Sequence, residues 1–417
     1  MNPHSNMRTT LAPFCLAITL TVPVMPAAEP TWPEFHGPGR ANISGEQHLL
    51  KRWPEGGPPL IWTFPHCGRG YSGVTIAGGM IFTAGDFDDA ERLIALDMGG
   101  RRVWEAPNGR PWRGACPGSR ATPTWSDNVL YHMNPNGRLA AFDALTGREI
   151  WTVDLVERFG ASFGIWGLAE NVVADGDRVF CMPGGPGGRI VALDKRTGET
   201  IWCNTEIGDS AAYCSPAIVT HNGVRQLVTM TQKSVLGIAL DDGRLVWSAP
   251  FVPRSPQNAL TPVYHDGRVF VACGHSSGGT VFQIDDAACT ATPIWSREDL
   301  DNCHGGAVLI QGRLFGSGCR QGGKKFYCVD FLSGRTIQLD DTLGKVGITC
   351  ADGMLYCLNH QGTMSLVAIT PAGFEIASQF DLGKRPANSY LAHPVVCGGR
   401  LYIRCNQELR AFDIRAR

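Results

Sequence analysis

One pattern recurs eight times along this chain, at intervals of about 45 residues: a tight turn, a short apolar strand, and a second strand ending in Ala-x-Asp or a worn form of it. The turns fall at Gly78-Gly79, Asp127-Asn128, Gly176-Asp177, Asn222-Gly223, Asp266-Gly267, Gln311-Gly312, Asp352-Gly353 and Gly398-Gly399. Most of these pairs accept the positive φ of a two-residue hairpin. Each turn leads into a half-buried run such as Arg178-Val179-Phe180-Cys181 or Arg400-Leu401-Tyr402-Ile403. Such an array predicts an all-β chain of antiparallel strands, with the repeat accounting for nearly everything after residue 56.

Two copies of the second strand are complete: Ala141-Phe142-Asp143 runs through Thr146-Gly147 to Trp151, and Ala192-Leu193-Asp194 runs through Thr197-Gly198 to Trp202. Worn copies lead to Trp104, Trp247 and Trp295, the sixth ends at Gln338, and the seventh has lost both Asp and Trp. The eighth, Ala411-Phe412-Asp413, reaches the C-terminus without its Trp, whereas Gly57 to Trp62 is a tail without a head. Joined, they make one repeat. A chain whose last strands are completed by its first outer strand forms a ring and removes the open sheet edges of a linear array.

The segment A-x-D-x-x-T-G-x-x-x-W resembles the PQQ-like (quinoprotein-type) repeat family, over roughly residues 57–417. The resemblance implies an eight-bladed β-propeller of four-stranded antiparallel blades, closed by pairing of the N- and C-terminal segments. It also implies that Trp62, Trp104, Trp151, Trp202, Trp247 and Trp295 dock neighbouring blades, with Asp143 and Asp194 securing the turns. A large ring near the rim of a wedge-shaped sheet fills the widening gap, and its N–H can find a backbone acceptor.

Residues 1–28 read as a signal peptide: Arg8, an apolar run from Leu11 to Val24, and small residues at Ala27-Ala28. Residues 29–56, with Trp32-Pro33-Glu34-Phe35-His36-Gly37, read as an irregular arm laid across the propeller. The expectation is an exported protein, periplasmic or extracellular, with no transmembrane span after signal removal. A net charge of −1 with no basic run argues against a nucleic-acid partner. The cysteines sit mostly in apolar strand patterns, as small buried hydrophobes do. Cys319 and Cys328 flank the loop around Gly323-Lys324 in a way that allows a cross-strand contact.

In a propeller, the loops entering the innermost strands form the mouth of a central channel. These entrances are marked by Thr122-Pro123, Ser215-Pro216, Thr261-Pro262 and His393-Pro394. Around them stand the candidate ligand-binding residues Arg69, Tyr71, Arg120, Trp166, Glu170, Asn171, Tyr213, Asn258, His304, Lys345, Tyr390 and His393. Arg120 or Lys345 could meet an anion, and Trp166 or Tyr213 could stack on a planar or sugar-like group. Cys303 and His304 suggest a nucleophile and base, but adjacent residues of a strand point to opposite faces, so the expectation is that they do not meet.

The family resemblance implies two roles. A dehydrogenase needs pyrroloquinoline quinone (PQQ), Ca²⁺ on oxygen ligands, and a carboxylate base. The stretch 181–189, where alcohol-oxidising members carry an acidic metal ligand, has no acid, and the chain has no Cys-Cys pair. The favoured expectation is therefore a binding or scaffold propeller, similar to BamB-type assembly subunits, with no catalytic residue, metal or cofactor assigned. Its partner would be an envelope protein or a small polar or carbohydrate ligand. The alternative is a PQQ- and Ca²⁺-dependent alcohol or sugar dehydrogenase.

Overall fold

The computed structural model describes Met1 and residues 29–320, 324–386 and 389–416, so the leader read over residues 1–28 lies, apart from Met1, outside the described residues. The hairpin turns take the geometry their residues favour. In seven of the eight pairs both residues have positive φ, as at Gly78 (56°) and Gly79 (69°) or Asp127 (51°) and Asn128 (62°). These turns generate four-stranded antiparallel meanders in sequence order. The first comprises Thr75–Ala77, Met80–Asp86, Glu91–Asp97 and Arg102–Pro107. Two later meanders, Ala217–His221 through Leu245–Pro250 and Val263–His265 through Thr290–Arg297, are linked into one eight-stranded sheet by the parallel pairing of Ser248 with Thr290.

The last meander has only three strands of its own, Val395–Cys397, Arg400–Cys405 and Glu408–Asp413. Its fourth is Leu60–Phe64, paired antiparallel with Glu408–Asp413 so that Trp62 faces Ala411. The two ends of the chain thus share one sheet. Its apolar face packs on the first meander, where Ile81, Ile94 and Leu96 form one buried cluster with Val395, Tyr402 and Leu409. Equivalent cores lie between other neighbouring sheets, for example Phe82, Leu93 and Ala95 against Leu130 and Phe142. The array is propeller-like.

The tryptophans follow one rule with an instructive exception. Trp62, Trp104, Trp151, Trp202 and Trp295 donate their indole N–H groups to the carbonyls of Met98, Ala144, Lys195, Leu240 and Phe331, each in the following repeat. Each ring also covers a glycine of that repeat: a Cβ at Gly147 would come within 2.6 Å of Trp104, and one at Gly243 within 2.4 Å of Trp202. The glycine is therefore needed for its bareness as well as its positive φ. Trp247 has no such glycine ahead of it, because the next repeat reads Asp285-Asp286-Ala287-Ala288. Its indole turns inward, fully buried, and donates to Gln226 Oε1 at 2.6 Å. Where the sixth repeat lacks Trp, Gln338 takes its place, accepting the Phe374 N–H at 2.8 Å beside Gly373. Asp143 accepts the N–H and hydroxyl of Thr146, and Asp194 those of Thr197.

The segment before Leu60 runs across the sheets. Trp32 exchanges backbone hydrogen bonds with Ile76, Ile43 pairs with Cys350, and Leu49 bridges to Arg415. Between these anchors the chain is tightly knotted, with positive φ at His36, Gly37, Gly39, Arg40 and Asn42. Buried Arg40 holds that knot: it donates to the carbonyls of Asn171, Val172 and Pro216 and pairs with Glu34 at 2.7 Å. Among the described residues, no helix is long and apolar enough to cross a membrane.

Candidate functional site

The innermost strands are stitched to one another where they begin. Asn171 Oδ1 accepts the Thr122 N–H at 2.6 Å, and its Nδ2 donates to Ser215 Oγ at 2.8 Å, so one amide side chain ties three consecutive units. Thr124 and Thr349 likewise donate to the carbonyls of Val172 and Pro394 in the next unit. This stitching holds the wall of a cavity of about 530 Å³, lined by segments from residue 32 to residue 395.

Eight of the twelve residues expected at the mouth line this cavity: Tyr71, Arg120, Trp166, Asn171, Tyr213, His304, Lys345 and His393. The other four do not. Arg69 is exposed beside Asp86 and Arg113 in a smaller neighbouring cleft. Asn258 is buried and donates to Thr231 O at 2.6 Å, and Tyr390 is buried with its hydroxyl on the carbonyls of Leu382 and Gly383. Glu170 is buried, with Oε2 accepting the Met182 N–H at 2.8 Å, and burial pushes its carboxyl up to about 8. It points into the sheet packing, where a carboxylate cannot meet a ligand in the cavity.

The lining also contains residues that the repeat pattern did not single out. Trp32, Phe35 and His36 come from the N-terminal arm, and Cys303, Cys319, His275, His360, Arg320 and Lys324 from the connecting loops. The arm residues belong to no repeat, so no register placed them. Cys303 and His304 require a correction: they lie in a loop, where strand alternation does not apply, and Cys303 Sγ is 3.3 Å from His304 Nδ1. Cys319 lines the cavity with Cys303, while Cys328 sits in the strand Phe326–Asp330 opposite Phe315. Both remain free thiols.

Two features dominate the electrostatics. Arg120, Arg320, Lys324 and Lys345 supply positive charge, whereas no Asp or Glu lines the cavity among the described residues. Arg120 is locked in place: Nε donates to Trp166 O at 2.9 Å, Nη2 to Ala115 O and Cys116 O, and the guanidinium lies 5.3 Å from the centre of the Tyr71 ring. Around these cations stand neutral imidazoles. Burial, followed by the nearby Lys345 and other histidines, lowers His304 well below the usual range, and His360 falls to about 4 for the same reasons. Trp166 and Tyr213 are in tilted contact, 5.3 Å between ring centres and 59° between planes, and both residues line the cavity.

The donor set does not suit a quinone–Ca²⁺ centre. Ca²⁺ takes several hard oxygen ligands, commonly carboxylates, and this wall offers imidazoles, thiols, cations and a few amides and hydroxyls. Among the described residues, no group of three or more His, Cys, Asp or Glu side chains is arranged to hold a metal ion. Among the described residues, no carboxylate lines the cavity where a base would meet an alcohol.

The model of the family described as outer membrane protein assembly factor BamB matches residues 89–339, more than half of the chain. The chain belongs to this family. A BamB from Bordetella pertussis is 24% identical over 340 residues, covering 76% of this chain and 81% of its own. The quinohemoprotein alcohol dehydrogenase ADH IIB of Pseudomonas putida is 30% identical over 154 residues; that stretch is 33% of this chain but only 21% of the enzyme. The crystal structure of the quinohemoprotein alcohol dehydrogenase from Comamonas testosteroni superposes with a TM-score of 0.69 at 12% identity, covering 93% of this chain and 81% of that one. That likeness shows a shared β-propeller fold. BamB-family membership fits the repeat signature and leaves open what the cavity holds.

Proposed function

We propose that this is an exported, eight-bladed propeller that binds a small anionic ligand with a planar or apolar body in its central cavity. The observation that carries this reading is the cavity wall, with four cationic residues, two adjoining aromatic rings and no carboxylate among the described residues. Such a wall repels cations and presents Arg and Lys donors to carboxylate, sulfonate or phosphate oxygens. The eight-blade count is supported by the meander succession and by the pairing of Leu60–Phe64 with the C-terminal strand. Residues 57–417 then form one domain and residues 29–56 line part of its channel.

A second reading, a scaffold that docks a protein partner at the mouth, is favoured by apolar exposure on the same connections. Ile165 is 64% exposed beside Trp166, and Val252 is 71% exposed on the loop that carries Gln257. The family description, an assembly factor, agrees with it.

Benzene-1,3,5-tricarboxylate and its trimethyl ester separate these readings. The anion should raise the unfolding temperature of the full chain, the ester should not, and Lys345→Gln should reduce the anion's effect. Equal effects of anion and ester, or none from either, would overturn the anionic-ligand reading and leave the docking surface to be tested by crosslinking in an envelope extract.

A further inference from the structure

Three loops meet on one side of the cavity and bring together two cysteines 16 positions apart in sequence. Asp301 fastens them: its carboxylate accepts the N–H groups of Ser276 (3.0 Å), Cys319 (2.7 Å) and Arg320 (2.9 Å). Gly274 makes room, since a Cβ there would lie 2.9 Å from Cys303 Cβ and 3.0 Å from its sulfur. Lys345 Nζ donates to Cys319 Sγ at 3.3 Å, and Cys303 lines the same cavity wall. Behind Cys303 stand His304, at 3.3 Å, and His360, whose Nε2 is 3.3 Å from His304 Nε2.

The electrostatics follow from these contacts. Cys319 is held well below the ordinary thiol range, first by the Cys303 thiol and then by Lys345 and the His275 N–H, all acting against burial. Cys303 is raised, first by its bond to Cys319 and then by burial. The other titratable or charged groups around Cys319 are the His275 imidazole, Cys273, Arg320 and Asp301. Both residues line the cavity, so the cavity is the route by which a small reagent reaches buried Cys319 and half-buried Cys303.

We propose that Cys303 and Cys319 are a redox-active dithiol in the cavity wall, with Cys319 as attacking thiolate and Cys303 as resolving thiol, oxidised by a low-molecular-weight disulfide. Cys319 Sγ attacks one sulfur of the disulfide RSSR, forming a mixed disulfide and releasing RS⁻. Cys303 Sγ then attacks Cys319 Sγ, its proton passing to a released thiolate. One Cys303–Cys319 disulfide forms, one RSSR bond breaks, and RSH and RS⁻ leave. The dithiol loses two electrons and the small disulfide gains them. This chemistry does not depend on which anion occupies the cavity.

The test begins with the reduced full-length chain, iodoacetamide at pH 6, and peptide mass mapping. A mostly ionised thiol reacts there about tenfold faster than an ordinary exposed one, after allowing for the lower nucleophilicity that accompanies a lower pKa. Cys319 should therefore outpace exposed Cys289, and Lys345→Gln should slow Cys319 alone. With glutathione disulfide, the wild type should yield the Cys303–Cys319 bond, Cys303→Ser should trap glutathione on Cys319, and Cys319→Ser should do neither. Alkylation of Cys319 no faster than Cys289 overturns the proposal, as does oxidation that joins Cys319 to another cysteine. The alkylation comparison needs only wild-type protein, so misfolding of a serine variant does not protect the idea.

Discussion

Arg404 is the most exacting test of how the two ends of the chain are joined. It lies in Arg400–Cys405 of the last meander, 2% exposed, and its guanidinium donates into the first meander and the segment that leads to it. The acceptors are Ser72 O (3.1 Å), Thr83 Oγ1 (2.6 Å), Ala84 O (2.5 Å), Cys67 O (3.2 Å) and Gly68 O (3.3 Å), with Asn406 O at 2.9 Å on its own side. Arg404→Met keeps much of the volume but deletes every donor, leaving a cluster of buried acceptors desolvated. Each such loss costs about 1–3 kcal/mol where water cannot replace the donor. Partial rehydration and the removal of a buried charge offset part of this, so we expect a net loss of about 3–5 kcal/mol. Against a total of about 5–15 kcal/mol this is large. The assay is urea unfolding combined with hydrogen exchange. The midpoint should fall, and amides of Leu60–Phe64 and Glu408–Asp413 should lose protection well before those of Val224–Met230. Arg404→Lys should fall between wild type and Met, because an ammonium reaches fewer of the carbonyls. An unchanged midpoint, or a uniform loss of protection, would refute the view that this residue clamps the joint.

Other consequences are simpler to check. Glu170, with its carboxyl raised to about 8, is neutral in the folded state and ionised in the unfolded state between about pH 4.5 and 8. Stability should decline across that window by at most roughly 1.4 kcal/mol per pH unit and then level off; Glu170→Gln should flatten the decline, measured by thermal unfolding from pH 5 to 9. Gly147→Ala should destabilise by about 1–3 kcal/mol, because it combines positive φ with a Cβ 2.6 Å from Trp104, whereas Gly78→Ala, with nothing within 4 Å, should cost about 1 kcal/mol or less. Replacing Trp247 by Phe should cost its own meander a hydrogen bond to Gln226 and none to the following repeat, unlike Trp202→Phe, whose lost bond is to Leu240 in the next unit, so hydrogen exchange around Leu240 should rise more than exchange around Asp285.

The repeat was legible because it rests on local chemistry. Turn pairs such as Asp127-Asn128 need only their own backbone preferences, and the Trp-to-Gly spacing reports a contact between consecutive repeats. The site was legible in part, because the Pro-marked strand entrances pointed to Arg120 and Tyr213, which line the cavity, as well as to Asn258 and Tyr390, which do not. Three things escaped. Trp32, Phe35 and His36 reach the cavity through long-range anchors that leave no periodic trace. Glu170 and Asn171 are neighbours with different fates, one turned into the packing and one into the stitching between strands, and single-residue parity was not readable in that loop. Cys303 and Cys319 come to one stretch of cavity wall where Asp301 draws three loops together, and strand alternation was the wrong rule for a segment that is not a strand.

The central claim is that the cavity binds a planar anion between its aromatic pair and its cations. Crystals soaked with 5-amino-2,4,6-triiodoisophthalate, read by iodine anomalous scattering, test it directly. Iodine peaks are expected inside the cavity, with the ring beside Trp166 and Tyr213 and a carboxylate toward Lys345 or Arg120, and those peaks should be lost in Lys345→Gln. Peaks confined to the outer surface, or peaks in the cavity that persist unchanged in the variant, would contradict it.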